Sequence, residues 1–228
     1  MIELVDLRYV HLGASNANDA SKWAQEIYGL EEVLRENGRI YLRGDDRDHN
    51  ICYFDGDPKD NTVGIEVADY NALDQAASHL ESNGVEITWG DDEGAAVRRC
   101  MKYLSFSDPT GNKFDLVVRP FDSGRRYFPS RDAGVHWFNH IGLKTTNAPR
   151  DENFWCTLFN FQANDWIGDA PLMSFDKVHH RFALFPTNEA GVQHINFQVR
   201  ETDDLMRSSY FFNERQIRIV FGPGRHAT

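Results

Sequence analysis

The chain carries an internal repeat, and this feature limits its possible folds more than any other. Position 140 lies 131 residues after position 9, and this shift lays Tyr9-Val10-His11-Leu12 over His140-Ile141-Gly142-Leu143. Position 197 lies 132 residues after position 65, and this second shift lays Ile65-Glu66-Val67 over Phe197-Gln198-Val199. Because the two shifts agree within one residue, they indicate two similar halves, each built from two related units.

Each unit begins with an apolar, alternating run and continues with a helix and short strands. In the first unit, residues 7–12 predict the strand, and Asn18 or Asp19 can cap the helix that follows. In the second unit, residues 63–67 predict the strand and residues 70–81 the helix, before three further strands. We therefore predict an α+β fold of four tandem βαβββ modules, of which the last is incomplete.

A linker is predicted between the two halves at 119–135. This segment contains PFDSGRRYFPSRDAG, with two prolines, two glycines and several charges, a composition typical of a connection. The prediction divides the chain into an N-terminal pair of modules at 1–118 and a C-terminal pair at 136–228.

Charge and composition exclude several classes of partner. The chain has 24 Lys and Arg against 35 Asp and Glu, a net charge of -11, and a nucleic acid partner requires a basic face instead. No window approaches the 18 or so apolar residues of a membrane span and the first residues are acidic, so we expect a cytoplasmic protein without membrane contact. Cys52, Cys100 and Cys156 are widely spaced and odd in number, which indicates neither a disulfide framework nor a zinc site.

Paired βαβββ units that curl into half-open sheets are the architecture of the vicinal oxygen chelate superfamily. Four such units in one chain resemble its type I extradiol ring-cleavage dioxygenases, and the resemblance covers the whole chain. It implies two half-barrel domains, of which the N-terminal one has lost its metal. It also implies Fe(II)-dependent cleavage of a catecholic or biaryl diol with O2 as co-substrate, in aromatic-compound degradation, by a homo-oligomer.

Two histidines stand where the resemblance places the metal ligands. His140 and His194 lie in the first strands of the third and fourth units, and these strands face each other in the paired fold. The equivalent positions in the first half hold Tyr9 and Thr62, which are poor ligands for such a site. The alternative is a pair of buried histidines bonded to backbone carbonyls.

Two further histidines are expected in the catalytic pocket. Residues 178–185 resemble the family strand with adjacent histidines, and this implies that His180 is the acid/base residue, while strand alternation turns His179 outward. His49 falls on His180 at the shift of 131, so a histidine there is alternatively inherited structure. The glycine-rich run that ends in His226 resembles a family loop whose histidine hydrogen-bonds the substrate. The other histidines are expected to be structural: His11, His49, His79 and His136.

The resemblance implies a third ligand, a glutamate on the last strand of the fourth unit. Shifting Asp115 of the second unit by 132 gives position 247, beyond Thr228. We therefore expect the given chain to lack this ligand and to be inactive or nearly so. Glu201, Asp203 and Asp204 follow the His194 strand at a predicted helix start, where an N-cap role is expected.

Two other functions stay open at this point. One is a different metal enzyme of the superfamily, such as a glyoxalase-like isomerase, and the other is a metal-free ligand-binding protein of the same fold. The adjacent histidines and the glycine-rich His226 loop favour the dioxygenase. The sequence does not distinguish iron from manganese, nor one diol from another.

Overall fold

The computed structural model describes residues 1–224, which form two open sheets and five helices. The elements of the first half are β1 (Leu4–Ala14), α1 (Ala17–Tyr28), β2 (Glu31–Glu36), β3 (Arg39–Arg43), β4 (Ile51–Asp55), β5 (Asn61–Val67), α2 (Tyr70–Ser82), β6 (Ile87–Trp89), α3 (Asp92–Arg98), β7 (Lys102–Ser107) and β8 (Lys113–Val118). Those of the second half are β9 (Val135–Thr145), α4 (Ala148–Leu158), β10 (Gln162–Ile167), β11 (Ala170–Ser174), β12 (Phe182–Pro186), β13 (Gly191–Val199) and α5 (Thr202–Glu214). No helix within these residues is long and apolar enough to span a membrane.

The sheet topology confirms the predicted repeat of βαβββ modules. The strand order is β2-β3-β4-β1-β5-β8-β7-β6 in the first sheet and β10-β11-β12-β9-β13 in the second. In both sheets the first strand pairs in parallel with the last strand of its own module and antiparallel with the first strand of the next. The fourth module is described as β13 and α5, so within residues 1–224 β13 forms one edge of its sheet.

A β-bulge explains why the two repeat shifts differ by one residue. Thr62 and His194 occupy equivalent register positions 132 residues apart, whereas Asn61 and Val192 are 131 apart. Gln193 is the extra residue, and the register of β13 shifts between Val192 and His194. An extra residue of this kind bends the strand and changes the direction of the side chains beside it. The equivalent cross-strand pairs are His11–Thr62 with Gly142–His194, and Leu12–Asn61 with Leu143–Val192.

Local details differ from the sequence prediction in the first half. The side chain of Asn16, rather than of Asn18 or Asp19, caps α1 by accepting from the backbone N–H of Asp19 at 3.1 Å. The strand missing from the predicted first module is β2, whose sequence EEVLRE carries charges on an exposed strand and so lacks a clear apolar pattern. The short helix α3 was also missed, because its seven residues span only two turns.

The two sheets share one apolar core. Trp155 on α4 is fully buried, and its ring lies 4.7 Å from that of Phe114 on β8 and 5.1 Å from that of Phe182 on β12. These aromatic contacts join elements of both halves, so removing either half exposes the core of the other. The segment between the sheets is packed as well: Arg43 donates to the backbone carbonyls of Arg125 and Arg126 at 2.8 and 2.9 Å.

Candidate metal centre

The predicted metal ligands face each other on neighbouring strands. His140 lies on β9 and is buried, and His194 lies on β13 and is half-buried. In the register of the two strands His140 is opposite Asn196, and His194 is opposite Gly142. The Nε2 atoms of the two rings are 3.2 Å apart.

This separation fits two imidazoles that bind the same divalent metal. An imidazole nitrogen binds such a metal at about 2.1 Å, so two adjacent ligands at a right angle lie roughly 3 Å apart. His140 and His194 meet this condition without any rearrangement of the backbone. The donor type also fits, because imidazole suits iron and similar transition metals.

A third ligand is not found among the described residues. Within 1–224, no group of three or more His, Cys, Asp and Glu side chains is placed to hold a metal ion. Glu201 is the N-cap residue of α5, and Asp204 accepts its backbone N–H at 3.1 Å. The expectation that these acidic residues cap a helix is thereby confirmed.

His180 lies beside the candidate ligands. Its ring centroid is 4.1 Å from that of His140, and the side chain is buried. Its Nδ1 is 3.0 Å from Nδ1 of His179, whose side chain is largely exposed. The prediction that both residues lie on a strand was wrong, because β12 begins only at Phe182. His180 is nevertheless the inward and His179 the outward member of the pair.

Arg181 fixes the segment that carries these two histidines, and sequence reasoning missed it. Its guanidinium donates to the backbone carbonyl of Asn139 at 2.8 Å and pairs with Asp176 at 2.6 Å. It therefore ties the loop before β12 to the strand that carries His140. An arginine directly after a histidine pair is the only sequence signal, and it is too common to be informative.

His226, the predicted substrate-binding histidine, lies outside the described residues.

The first half contains the same site position with its carboxylate already neutralised. Asp115 corresponds to the expected third ligand, and Arg98 pairs with it at 2.7 Å. The hydroxyl of Tyr9, the counterpart of His140, donates to Asp115 at 3.0 Å. Burial and the neighbouring carboxylate raise the pKa of Tyr9 well above 10.0, so it stays a neutral donor. The acid thus lacks a free charge for a metal, although the adjoining cavity measures about 440 Å³.

A second histidine pair lies in this first half and forms an ordinary hydrogen bond. The Nε2 atoms of His11 and His49 are 3.0 Å apart, and burial lowers the pKa of both rings. Nδ1 of His49 faces the carboxylate of Asp48 at 3.4 Å, which places its proton on that side. His11 can then donate from Nε2 to His49, and both rings are neutral.

Comparison with known proteins links the chain to ring-cleavage enzymes. The biphenyl-2,3-diol 1,2-dioxygenase of Sphingomonas paucimobilis is 26% identical over 246 residues, which cover 100% of this chain and 82% of that protein. No protein-family model matches the chain.

Solved structures share the fold. A catechol 2,3-dioxygenase superposes with a TM-score of 0.88 at 24% identity, over 99% of this chain and 81% of the other. The Mn(II)-bound glyoxalase from Novosphingobium aromaticivorans superposes with a TM-score of 0.86 at 22% identity, over 99% and 76%. The fold is therefore common to both kinds of enzyme, and the chain is related in sequence to extradiol ring-cleavage dioxygenases along its whole length.

Proposed function

We propose that this homologue of the extradiol ring-cleavage dioxygenases opens catecholic rings beside the diol, with Fe(II) held by His140 and His194 and O2 as co-substrate. The observation that carries the proposal is the approach of the two Nε2 atoms to 3.2 Å, next to the buried ring of His180. A catecholic or biaryl diol is the substrate class, because the sequence relative over the whole chain is named for a biphenyl diol.

His140 and His194 supply two neutral donors from adjacent strands, so the sheet fixes their spacing before any metal arrives. When bound, Fe(II) supplies neighbouring coordination positions at which a diol and O2 meet and exchange electrons. We propose that the third ligand is a glutamate from outside residues 1–224. A carboxylate is needed there because two imidazoles leave the charge of the ion uncompensated.

His180 acts as the acid/base residue in this proposal. Its ring lies 4.1 Å from that of His140, so a substrate bound to the same metal comes within its reach. An imidazole titrates near neutral pH, which suits it to remove a proton from a diol hydroxyl and return it to the leaving oxygen. His226 binds the substrate in the same proposal, and His179 stays outside the pocket.

The main alternative is a glyoxalase-like metal enzyme, which has the same fold. The ring-cleavage activity is favoured by the relationship in sequence over the whole chain and by the buried His180 beside the ligand pair. Fe(II) is preferred to Mn(II) as part of the same proposal, and a cytoplasmic homo-oligomer stays a prediction from the sequence.

The decisive experiment measures metal content and O2 consumption together. The protein is loaded anaerobically with Fe(II) or Mn(II), freed of excess metal, and mixed with catechol or 2,3-dihydroxybiphenyl in an oxygen electrode. Variant His136→Ala, which changes a histidine of β9 outside the pair, serves as the matched control for His140→Ala. We expect metal-dependent O2 uptake and a ring-opened product from the wild type and the control alone.

Other outcomes separate the alternatives. Metal binding without O2 uptake, combined with turnover of a hemithioacetal, supports the glyoxalase-like enzyme. Ligand binding by a protein that takes up neither metal supports the metal-free binding protein. Either result overturns the proposal.

A further inference from the structure

The far side of each candidate ligand contacts the amide of the residue before it. Oδ1 of Asn139 lies 2.9 Å from Nδ1 of His140. Oε1 of Gln193 likewise contacts Nδ1 of His194. An amide oxygen only accepts hydrogen bonds, so each ring donates from a protonated Nδ1.

The orientation of the Asn139 amide is fixed by a second contact. Its Nδ2 donates to Oε1 of Gln198 at 3.3 Å, which leaves Oδ1 to face His140. A flipped amide would turn an N–H group towards His140 and lose the bond to Gln198. The contacts on both sides of the amide therefore agree on one orientation.

We propose that Asn139 and Gln193 are positioning residues that hold His140 and His194 in the Nδ1–H tautomer, so that both Nε2 lone pairs face one divalent cation. In two neutral rings with protonated Nδ1 atoms, both Nε2 atoms are acceptors, and at 3.2 Å they repel each other unless a positive charge lies between them. The inference rests on the proposed metal site and assigns the groups that prepare it.

The histidine pair of the first half supplies an internal contrast. His11 and His49 approach equally closely, yet within residues 1–224 only His49 has an acceptor at its Nδ1, the carboxylate of Asp48. One ring can therefore donate to the other, and no cation is required. The second half differs in having an acceptor behind both rings.

The repeat shows that both amides are particular to the second half. Position 139 corresponds to Arg8, which instead pairs with Asp122 and donates to the carbonyl of Phe121. Gln193 is the bulge residue, for which β5 has no counterpart. The bulge lets Gln193 and the following His194 turn towards one another, although neighbours on a regular strand point to opposite faces.

The glycine opposite His194 makes room for this arrangement. A Cβ on Gly142 would lie 2.5 Å from Nδ1 of His194 and 3.0 Å from Oε1 of Gln193. The bulge, the amide and the glycine therefore form one local structure around the far side of His194.

The test replaces the acceptors by side chains of similar size without one. The variants are Asn139→Leu, Gln193→Leu and the double variant, and the conservative variants Asn139→Asp and Gln193→Glu retain an acceptor. Gln162→Leu, an exposed amide on the opposite edge strand, is the matched control. Because Gln193 is exposed, its replacement keeps the test valid even if Asn139→Leu proves unstable.

Two measurements are made on each protein. Titration with Mn(II), with the free ion followed by electron paramagnetic resonance, gives the metal affinity. Long-range nitrogen–proton correlation spectra of isotope-labelled histidine give the tautomer of each ring without metal. We expect each Leu variant to bind Mn(II) about 10- to 100-fold more weakly and to shift its histidine towards the Nε2–H tautomer, with Asp and Glu restoring affinity.

Unchanged affinity and unchanged Nδ1–H tautomers in the double variant would overturn the inference while leaving the proposed function intact. A wild-type protein that binds neither Mn(II) nor Fe(II) would overturn the proposed function instead. In that case the tautomers of the metal-free wild type and double variant still decide whether the two amides hold the rings.

Discussion

Gly142 provides the space in which the ring of His194 lies. The two residues are cross-strand partners on β9 and β13, and a Cβ on Gly142 would come within 2.5 Å of both Nδ1 and Cε1 of that ring. Gly142 occurs in the middle of a strand, where glycine is normally unfavourable, so its presence is explained by this close approach. In the first half the same position holds His11.

Replacing Gly142 by alanine should therefore disturb the metal centre more than the fold. The added methyl group pushes the His194 ring away from His140, and overpacking of this kind costs about 1–3 kcal/mol. We expect at least a tenfold loss of Mn(II) affinity in Gly142→Ala, measured by titration. Gly168→Ala, at a turn where a Cβ meets no atom within 4 Å, is the control for the loss of a glycine. Equal affinity in Gly142→Ala and wild type would show that the ring does not need this space.

Removing either candidate ligand should abolish metal binding and leave the fold intact. His140→Ala and His194→Ala each leave one imidazole, which cannot hold a divalent ion alone against water. Metal stoichiometry after desalting, read beside far-ultraviolet circular dichroism, checks the prediction. Undiminished stoichiometry in either variant would exclude that residue from the site.

His180 should affect turnover rather than metal content. The variant His180→Phe keeps an aromatic ring beside His140 but removes the proton carrier, and acid/base catalysis contributes about 100- to 10,000-fold in rate. We expect full metal loading with turnover reduced by that factor. His179→Phe, which changes the exposed neighbour, should stay near the wild-type rate. Full activity in His180→Phe would reject the acid/base role.

The repeat made most of the architecture predictable, because four copies of one pattern reinforce each other where a single copy is weak. Helix α2, predicted at 70–81 and found at Tyr70–Ser82, and strand β8, found at Lys113–Val118, show a clear apolar periodicity. Strand β2 escaped prediction since a charged strand on the surface has no apolar face to reveal it. The shared core around Trp155 also escaped, because packing between distant elements leaves no local pattern in the sequence.

The residues around the candidate site were harder to foresee than its histidines. The positions of His140 and His194 followed from the repeat and the family resemblance. The bulge at Gln193 was visible only as a difference of one between two shifts, and it had no structural meaning until the register of β13 was known. Contacts such as Asn139 with His140 depend on side-chain direction, which strand alternation alone predicts wrongly beside a bulge.

The buried histidine pair of the first half should make the fold sensitive to mild acid. Burial, with the other ring and two arginines, lowers the pKa of His11 well below its ordinary 6.5, and burial lowers that of His49. Below pH 6.5 the unfolded chain takes up protons that the folded chain does not, so stability falls as the pH falls. Each such ring contributes up to about 1.4 kcal/mol per pH unit in this range.

The variant His11→Gln tests this contribution, because a neutral amide can replace the donor to His49. Urea unfolding at pH 7.5 and pH 5.5 should show a smaller loss of stability in the variant than in the wild type. His136→Gln, on β9 outside this pair, is the control and should keep the wild-type loss. An identical loss in His11→Gln and wild type would show that His11 is protonated in the folded state or does not titrate in this range.

The charge of the metal site leads to the last prediction. Two neutral imidazoles bind a divalent ion without balancing its charge, and within residues 1–224 no carboxylate joins His140 and His194. We therefore expect the chain of 228 residues to hold Fe(II) weakly and to cleave catechol slowly or not at all. Sodium acetate, which offers a free carboxylate, should tighten Fe(II) binding, whereas sodium chloride at equal ionic strength should not. Extending the chain by two strands with a glutamate at about position 247, which corresponds to Asp115, should restore tight Fe(II) binding and ring cleavage together. A 228-residue chain that already holds one Fe(II) tightly and is fully active would show that its own residues complete the site.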